Sequence, residues 1–143
     1  MCLFLARMST HSCAMNFSPR SLTLAAGLLG FLGVALGAFG AHALKPMLVA
    51  NGHLEYWEKA VLYQLIHSVA LLALAGWRDT PAGPAGKVAA CWVTGILFFS
   101  GSLYALALGR PITLLWPITP LGGLALLAGW GLLILSAWKR PSE

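Results

Sequence analysis

Polar and hydrophobic positions alternate along this chain in blocks rather than residue by residue. Four runs carry no charged side chain: Ser21–Leu44, Ala60–Trp77, Val88–Gly109 and Pro111–Trp138. Each is near or above the ~18–20 residues that an α-helix needs to cross ~30 Å of hydrocarbon. A backbone in lipid must satisfy its own polar groups, so these runs predict helices. The last run is too long for one span. Its first part, up to Pro117 and Pro120, is proline-rich, and proline inside a helix removes a backbone donor. Span four therefore starts near Ile118, after a loop or a shallow re-entrant turn. The pattern predicts an all-α integral membrane protein, a four-transmembrane-helix antiparallel bundle over residues 18–140, with spans at about 21–44, 57–77, 87–109 and 118–138.

The connections carry breakers. Lys45–Leu54 contains Pro46, Asn51 and Gly52, and Arg78–Gly86 contains Pro81, Gly83 and Pro84, residues that favour turns. Trp57, Trp77, Trp116 and Trp138 fall at the expected span ends, where interfacial aromatics belong. Trp92 and Trp130 fall inside spans and read as packing residues.

Composition turns this pattern into an exclusion. Of 143 residues 59% are hydrophobic and only 9% charged, against about 25% charged in an ordinary soluble domain. So small a soluble domain has too little interior for that much apolar surface. The three cysteines, Cys2, Cys13 and Cys91, have neither zinc nor C-x-x-C spacing. No basic run is dense enough for nucleic acid. No cofactor or metal is expected, and the partner is the lipid bilayer.

Charge also orients the bundle. Four spans put both termini on one side, with Arg7, Arg20, Arg78, Lys87, Lys139 and Arg140; the other side has Lys45, Lys59 and Arg110. The excess of bases puts the termini in the cytoplasm. Residues 1–17 read as an N-terminal tail, with Met8 and Met15 as alternative starts to Met1. Ala41-His42-Ala43 mimics a signal-cleavage site, but the apolar run before it exceeds the ~7–15 residues of a cleavable segment, so the helix is expected to be retained.

Small residues predict how bare helices pack. Ala26, Gly30, Gly33, Gly37 and Gly40 recur at steps of four and three along one face of span one. Gly122, Ala125 and Gly129 do the same in span four. In lipid, close approach across such residues is a main attraction between helices. A second copy of the chain is a candidate partner through one such seam.

Polar residues within the spans are the candidate chemistry. No span core contains Asp or Glu, which argues against a carboxylate-based, proton-coupled transporter. His67 lies near the middle of span two, a depth at which an ionisable group is costly and a functional suspect. It shares a face with Tyr63 and Lys59, with Gln64 beside them, and Glu55 and Lys59 are spaced to pair at the interface. By depth His67 reaches Ser100 of span three, which predicts a hydrogen bond between those spans. His42, Tyr63, Gln64, His67, Ser100, Ser102, Tyr104 and Thr119 form the candidate polar cluster. Haem is disfavoured, because His42 and His67 differ in depth by about 10 Å.

Several motifs then resemble one family. Gly37-Ala38-Phe39-Gly40-Ala41-His42-Ala43-Leu44-Lys45 closes span one. Ala60-Val61, Tyr63-Gln64 and His67 mark span two, and Ser100-Gly101-Ser102-Leu103-Tyr104 span three. Pro117-Ile118-Thr119-Pro120, Gly122-Gly123 and Gly129-Trp130 mark span four. In this order they resemble the domain of unknown function 423 family (uncharacterised protein family 0382), to which eukaryotic transmembrane protein 256 is similar. The resemblance covers about Ser18 to Trp138. It implies a four-helix protein of the bacterial inner (plasma) membrane and no particular activity.

The expected function is that of a non-enzymatic membrane bundle that binds lipid, assists a membrane complex or organises the bilayer. The alternatives are a small carrier or channel with a polar path around His67 and, further off, an intramembrane Ser/His hydrolase using Ser100 and His67.

Overall fold

A computed structural model describes residues 18–76 and 84–139. The N-terminal tail, the start-site question, Trp77 and the Pro81–Gly83 breakers lie outside the described residues. Span one is α1 (Pro19–Ala41), span two is α3 (Leu54–Gly76) and span four is α7 (Ile118–Trp138). Span three is one rod in three parts, α4 (Pro84–Gly95), a π-helical turn (Ile96–Ser100) and α5 (Gly101–Ala107). Two short helices, α2 (Lys45–Ala50) and α6 (Ile112–Leu115), lie in the connections. All four spans are long and apolar enough to cross a membrane.

Helix ends follow local chemistry. Ser18 caps α1 by accepting the Ser21 N–H at 3.1 Å, and Pro19 fills the first turn, where its missing N–H costs nothing. The α2 and α5 helices end alike. Gly52 (φ 67°) and Gly109 (φ 82°) take the left-handed conformation that glycine adopts without a Cβ penalty. Gly52 N–H then bonds Val49 O and His53 N–H bonds Leu48 O; Gly109 N–H bonds Leu106 O and Arg110 N–H bonds Ala105 O. Both are Schellman closures, and Pro111 follows the second.

The helices of spans one, two and three start two to three residues before the expected spans, because charge marks where lipid ends and not where a helix ends. Arg20, Glu55, Lys59 and Lys87 all sit within helices; such side chains reach outward to water. The Lys45–Leu54 connection is likewise more ordered than its breakers predict. Pro46 sits in the first turn of α2, a position it tolerates, and Leu48 is fully buried.

The bundle is two antiparallel pairs, span one on span two and span three on span four, joined through spans two and three. The inner spans bury 33% and 44% of their most apolar stretches, against 17% in each outer span. Two apolar clusters form the core. The larger gathers Leu22, Ala26, Leu71, Leu74, Val88, Trp92, Ile96 and Leu126 from all four spans. The smaller packs Leu48, Trp57 and Ala107 at the other end.

Both glycine seams are used inside the chain. Gly33 faces Leu65, Gly37 faces Val61 and Gly40 faces Trp57. Four and then three residues forward on span one match four and four back on span two, which is the antiparallel register. In the second pair Gly95 faces Leu126, Gly122 faces Phe99 and Gly129 faces Trp92, with equal and opposite steps. Outer spans mostly supply the glycine, and inner spans the larger side chain.

Candidate functional site

Span two carries the polar residues that matter, and they point inward. Trp57, Gln64, His67 and Ser68 are all at most 4% exposed. Each finds a partner, which offsets the cost of burying a polar group in low dielectric.

Trp57 donates its Nε1–H to Leu36 O at 2.9 Å, and Gln64 donates Nε2–H to Leu29 O at 2.8 Å. Both acceptors belong to span one. Each carbonyl sits four residues before a seam glycine, Gly40 and Gly33 respectively. A side chain at that position would crowd the carbonyl, so glycine uncovers an acceptor already bonded within its own helix. The two donors are seven residues apart on span two and the two acceptors seven apart on span one. Trp57 is therefore a buried clasp and not the interfacial anchor its place near a span end predicts.

The other end of Gln64 reaches span three, where its Oε1 accepts the Tyr104 hydroxyl at 3.0 Å. Gln64 thus ties spans one and three to span two. Tyr104 also meets Trp57 edge to face, ring centroids 4.8 Å apart. Ser68 is satisfied within its own helix, bonding Gln64 O at 2.6 Å.

His67 departs from expectation. Its Nδ1 lies 2.8 Å from Tyr63 O, and its Nε2 lies 3.1 Å from Trp130 Nε1 of span four. A carbonyl only accepts and an indole N–H only donates, so this geometry assigns the neutral tautomer with the proton on Nδ1. Ser100, the expected partner, is not bonded to His67. Its Oγ is buried with no hydrogen-bond partner among the described residues. Depth alone set that expectation, but the imidazole is turned toward span four. Around it lie Tyr63 and Trp92, ring centroids 6.1 Å from the imidazole in each case, and Trp130, 4.8 Å from Trp92.

Spans three and four share one polar contact. Ser102 Oγ and Thr119 Oγ1 are 2.7 Å apart, and Ser102 also bonds Phe99 O at 3.0 Å. With one proton per hydroxyl, Thr119 donates to Ser102 when Ser102 donates to Phe99. His42 stands apart, exposed beyond the end of α1. The cluster thus resolves into two bonded pairs (Gln64 with Tyr104, Ser102 with Thr119), His67 on the carbonyl and ring of the exposed Tyr63, a solitary Ser100 and an outlying His42. Trp57 and Trp130 were missed as site residues; a tryptophan on the same helical face as a buried polar residue is the signal that could have found Trp57. Glu55 and Lys59 pair at the exposed start of span two.

The span-linking hydrogen bonds on span two are crosswise and internal, and residues 36–123, which include Trp57, Gln64, His67 and Tyr104, match the family described as Protein of unknown function (DUF423). The chain belongs to this family. A UPF0382 membrane protein of Haemophilus influenzae is 44% identical over 123 residues, covering 85% of this chain and 95% of the relative. The UPF0382 membrane protein SH2409 of Staphylococcus haemolyticus is 41% identical over 112 residues, 78% of this chain and 90% of the relative. The UPF0382 membrane protein C1782.12c of Schizosaccharomyces pombe is 34% identical over 114 residues, 77% and 95% of the two chains. No solved structure matches the chain. A multi-pass membrane protein of a family without an assigned molecular function is thus the established reading.

Proposed function

We propose that this DUF423 protein acts without covalent chemistry, as a small inner-membrane bundle that binds lipid and organises the membrane around it. One observation carries the reading. Side chains of span two hydrogen-bond each of the other three spans, Trp57 and Gln64 to span one, Gln64 to span three, His67 to span four. Polar groups used this way hold helices together. Neither His67 nitrogen is left to take a proton from a nucleophile, and a base needs such a bond. Glu55 and Glu58 are exposed near the membrane edge. The excess of Lys and Arg on the terminal side supports cytoplasmic termini, which a reporter fused to the C-terminus checks.

The test is lipid retention. Protein extracted in mild detergent should carry phospholipid well above a detergent blank, in amounts unchanged by Ser100→Ala. Complete delipidation without loss of fold would overturn the lipid-binding reading. Covalent labelling of Ser100 by a fluorophosphonate would overturn the non-enzymatic one.

A further inference from the structure

One feature on the outside of the first helix pair is not used by the bundle. A groove of about 430 Å³ runs between the end of span one and the first half of span two, with Gly37 and Ala41 on one wall and Leu54 and Leu65 on the other. From Leu54 to Leu65 is about 16 Å along the helix. About 10 Å of that length lies beyond Glu58, toward Leu65, which holds part of an acyl chain within the ~15 Å that one leaflet of a ~30 Å hydrocarbon layer supplies.

Two charges border this apolar groove, Lys45 at the start of α2 and Glu58 on span two. Both are exposed. They are not paired with each other: among the described residues the ion pair is Lys59 with Glu55. That pair engages the cation next to Glu58 in sequence, so Glu58 keeps its charge available. The apolar groove is therefore bordered by one cation and one anion that form no ion pair among the described residues.

We propose that this groove is a specific phospholipid site. It takes one acyl chain along its apolar walls and a zwitterionic headgroup with a primary ammonium at its mouth, the phosphate on Lys45 and the ammonium on Glu58. Charge complementarity selects the headgroup. An anionic glycerol headgroup would satisfy Lys45 and leave Glu58 facing like charge. A choline headgroup has the right charges but no N–H to donate to the carboxylate, and charge-assisted hydrogen bonds are the stronger ones. An ethanolamine headgroup meets both needs. This deepens the lipid-binding reading above and rests on it.

The test is native mass spectrometry of the full chain in mild detergent, with phosphatidylethanolamine, phosphatidylcholine and phosphatidylglycerol added in turn at equal concentration. The ethanolamine lipid should be retained about five-fold over the other two. Lys45→Gln and Glu58→Gln should each erase that preference, and Lys59→Gln should leave it intact. Ala41→Phe, which fills the groove from an exposed position, should lower retention of all three lipids, with unchanged tryptophan fluorescence reporting an intact fold. Equal retention of the three lipids, or a preference that survives Lys45→Gln and Glu58→Gln, overturns the site while leaving general lipid binding standing. Absence of any adduct on the folded wild-type chain overturns both.

Discussion

The two helix pairs solve one problem with different parts. In both, glycine on one helix lets an antiparallel neighbour come close. Between spans one and two the glycines meet side chains, and Trp57 and Gln64 clasp the carbonyls those glycines uncover. Between spans three and four Gly122 meets the main chain itself at Phe98 and Phe99, within the π-helical turn. There Trp92 lies on Gly129 much as Trp57 lies on Gly40, yet its indole N–H has no partner among the described residues. The first seam is a hydrogen-bonded clasp between adjustable side chains. The second turns on one backbone contact with little to give, at Gly122, flanked by side-chain contacts at Gly95 and Gly129 and the Ser102–Thr119 hydrogen bond.

The largest expected effect tests that rigidity. A Cβ at Gly122 would stand 2.8 Å from the Phe98 carbonyl carbon and 2.8 Å from Phe99 Cα, and no rotamer change relieves a clash with main chain. Gly122→Ala should cost about 3 kcal/mol, the upper part of the usual overpacking range. A Cβ at Gly37 would meet only Val61 Cγ1 at 3.3 Å, so Gly37→Ala should cost less than about 1 kcal/mol. Unfolding in mixed micelles of increasing SDS content measures both. Equal costs would erase the distinction between the seams.

The clasp itself comes next. Gln64→Leu removes two interhelical bonds and leaves the half-buried Tyr104 hydroxyl without its acceptor. A loss of about 2 kcal/mol is expected, since stranding a buried polar group costs more than the bond alone. The same titration reads it, and a loss below a few tenths would mean that the clasp is ornamental.

Much of this was legible in the sequence, for a physical reason. Lipid surrounds the bundle, so apolar periodicity cannot separate inside from outside, but small residues can, because only they permit close approach. Gly33, Gly37 and Gly40 marked the packed face of span one, whereas in span two the face through Lys59, Tyr63 and His67 is off-centre: Lys59 and Tyr63 are exposed, and the buried face runs through Trp57, Gln64 and His67. Spacing along a helix says which residues face the same way and not which neighbour they face. That is why His67 was matched by depth to Ser100 of span three while its ring meets Trp130 of span four. The π-helical turn was invisible because one extra residue per turn has no residue signature; only Gly95 and Gly101 flank it.

A matched pair of tryptophan changes sharpens the contrast. Trp57→Phe keeps most of the ring and deletes the bond to Leu36 O, for an expected loss of about 1 kcal/mol. Trp92→Phe deletes an N–H that has no partner among the described residues and should change stability by less than about 0.5 kcal/mol. Similar losses at both positions would show that ring volume, and not the hydrogen bond, distinguishes the clasp.

The smallest effect is expected at Ser100. Its side chain is 1% exposed, and its Oγ is buried without a partner among the described residues. A buried hydroxyl that bonds nothing has lost its water without recompense, so removing it should not weaken the fold. The cavity left by one oxygen offsets part of that gain. Ser100→Ala should therefore leave SDS-unfolding stability unchanged or raise it by up to about 0.5 kcal/mol. A loss above about 1 kcal/mol would mean that the hydroxyl does bond, and that span three is held by more than the Ser102–Thr119 hydrogen bond on this side.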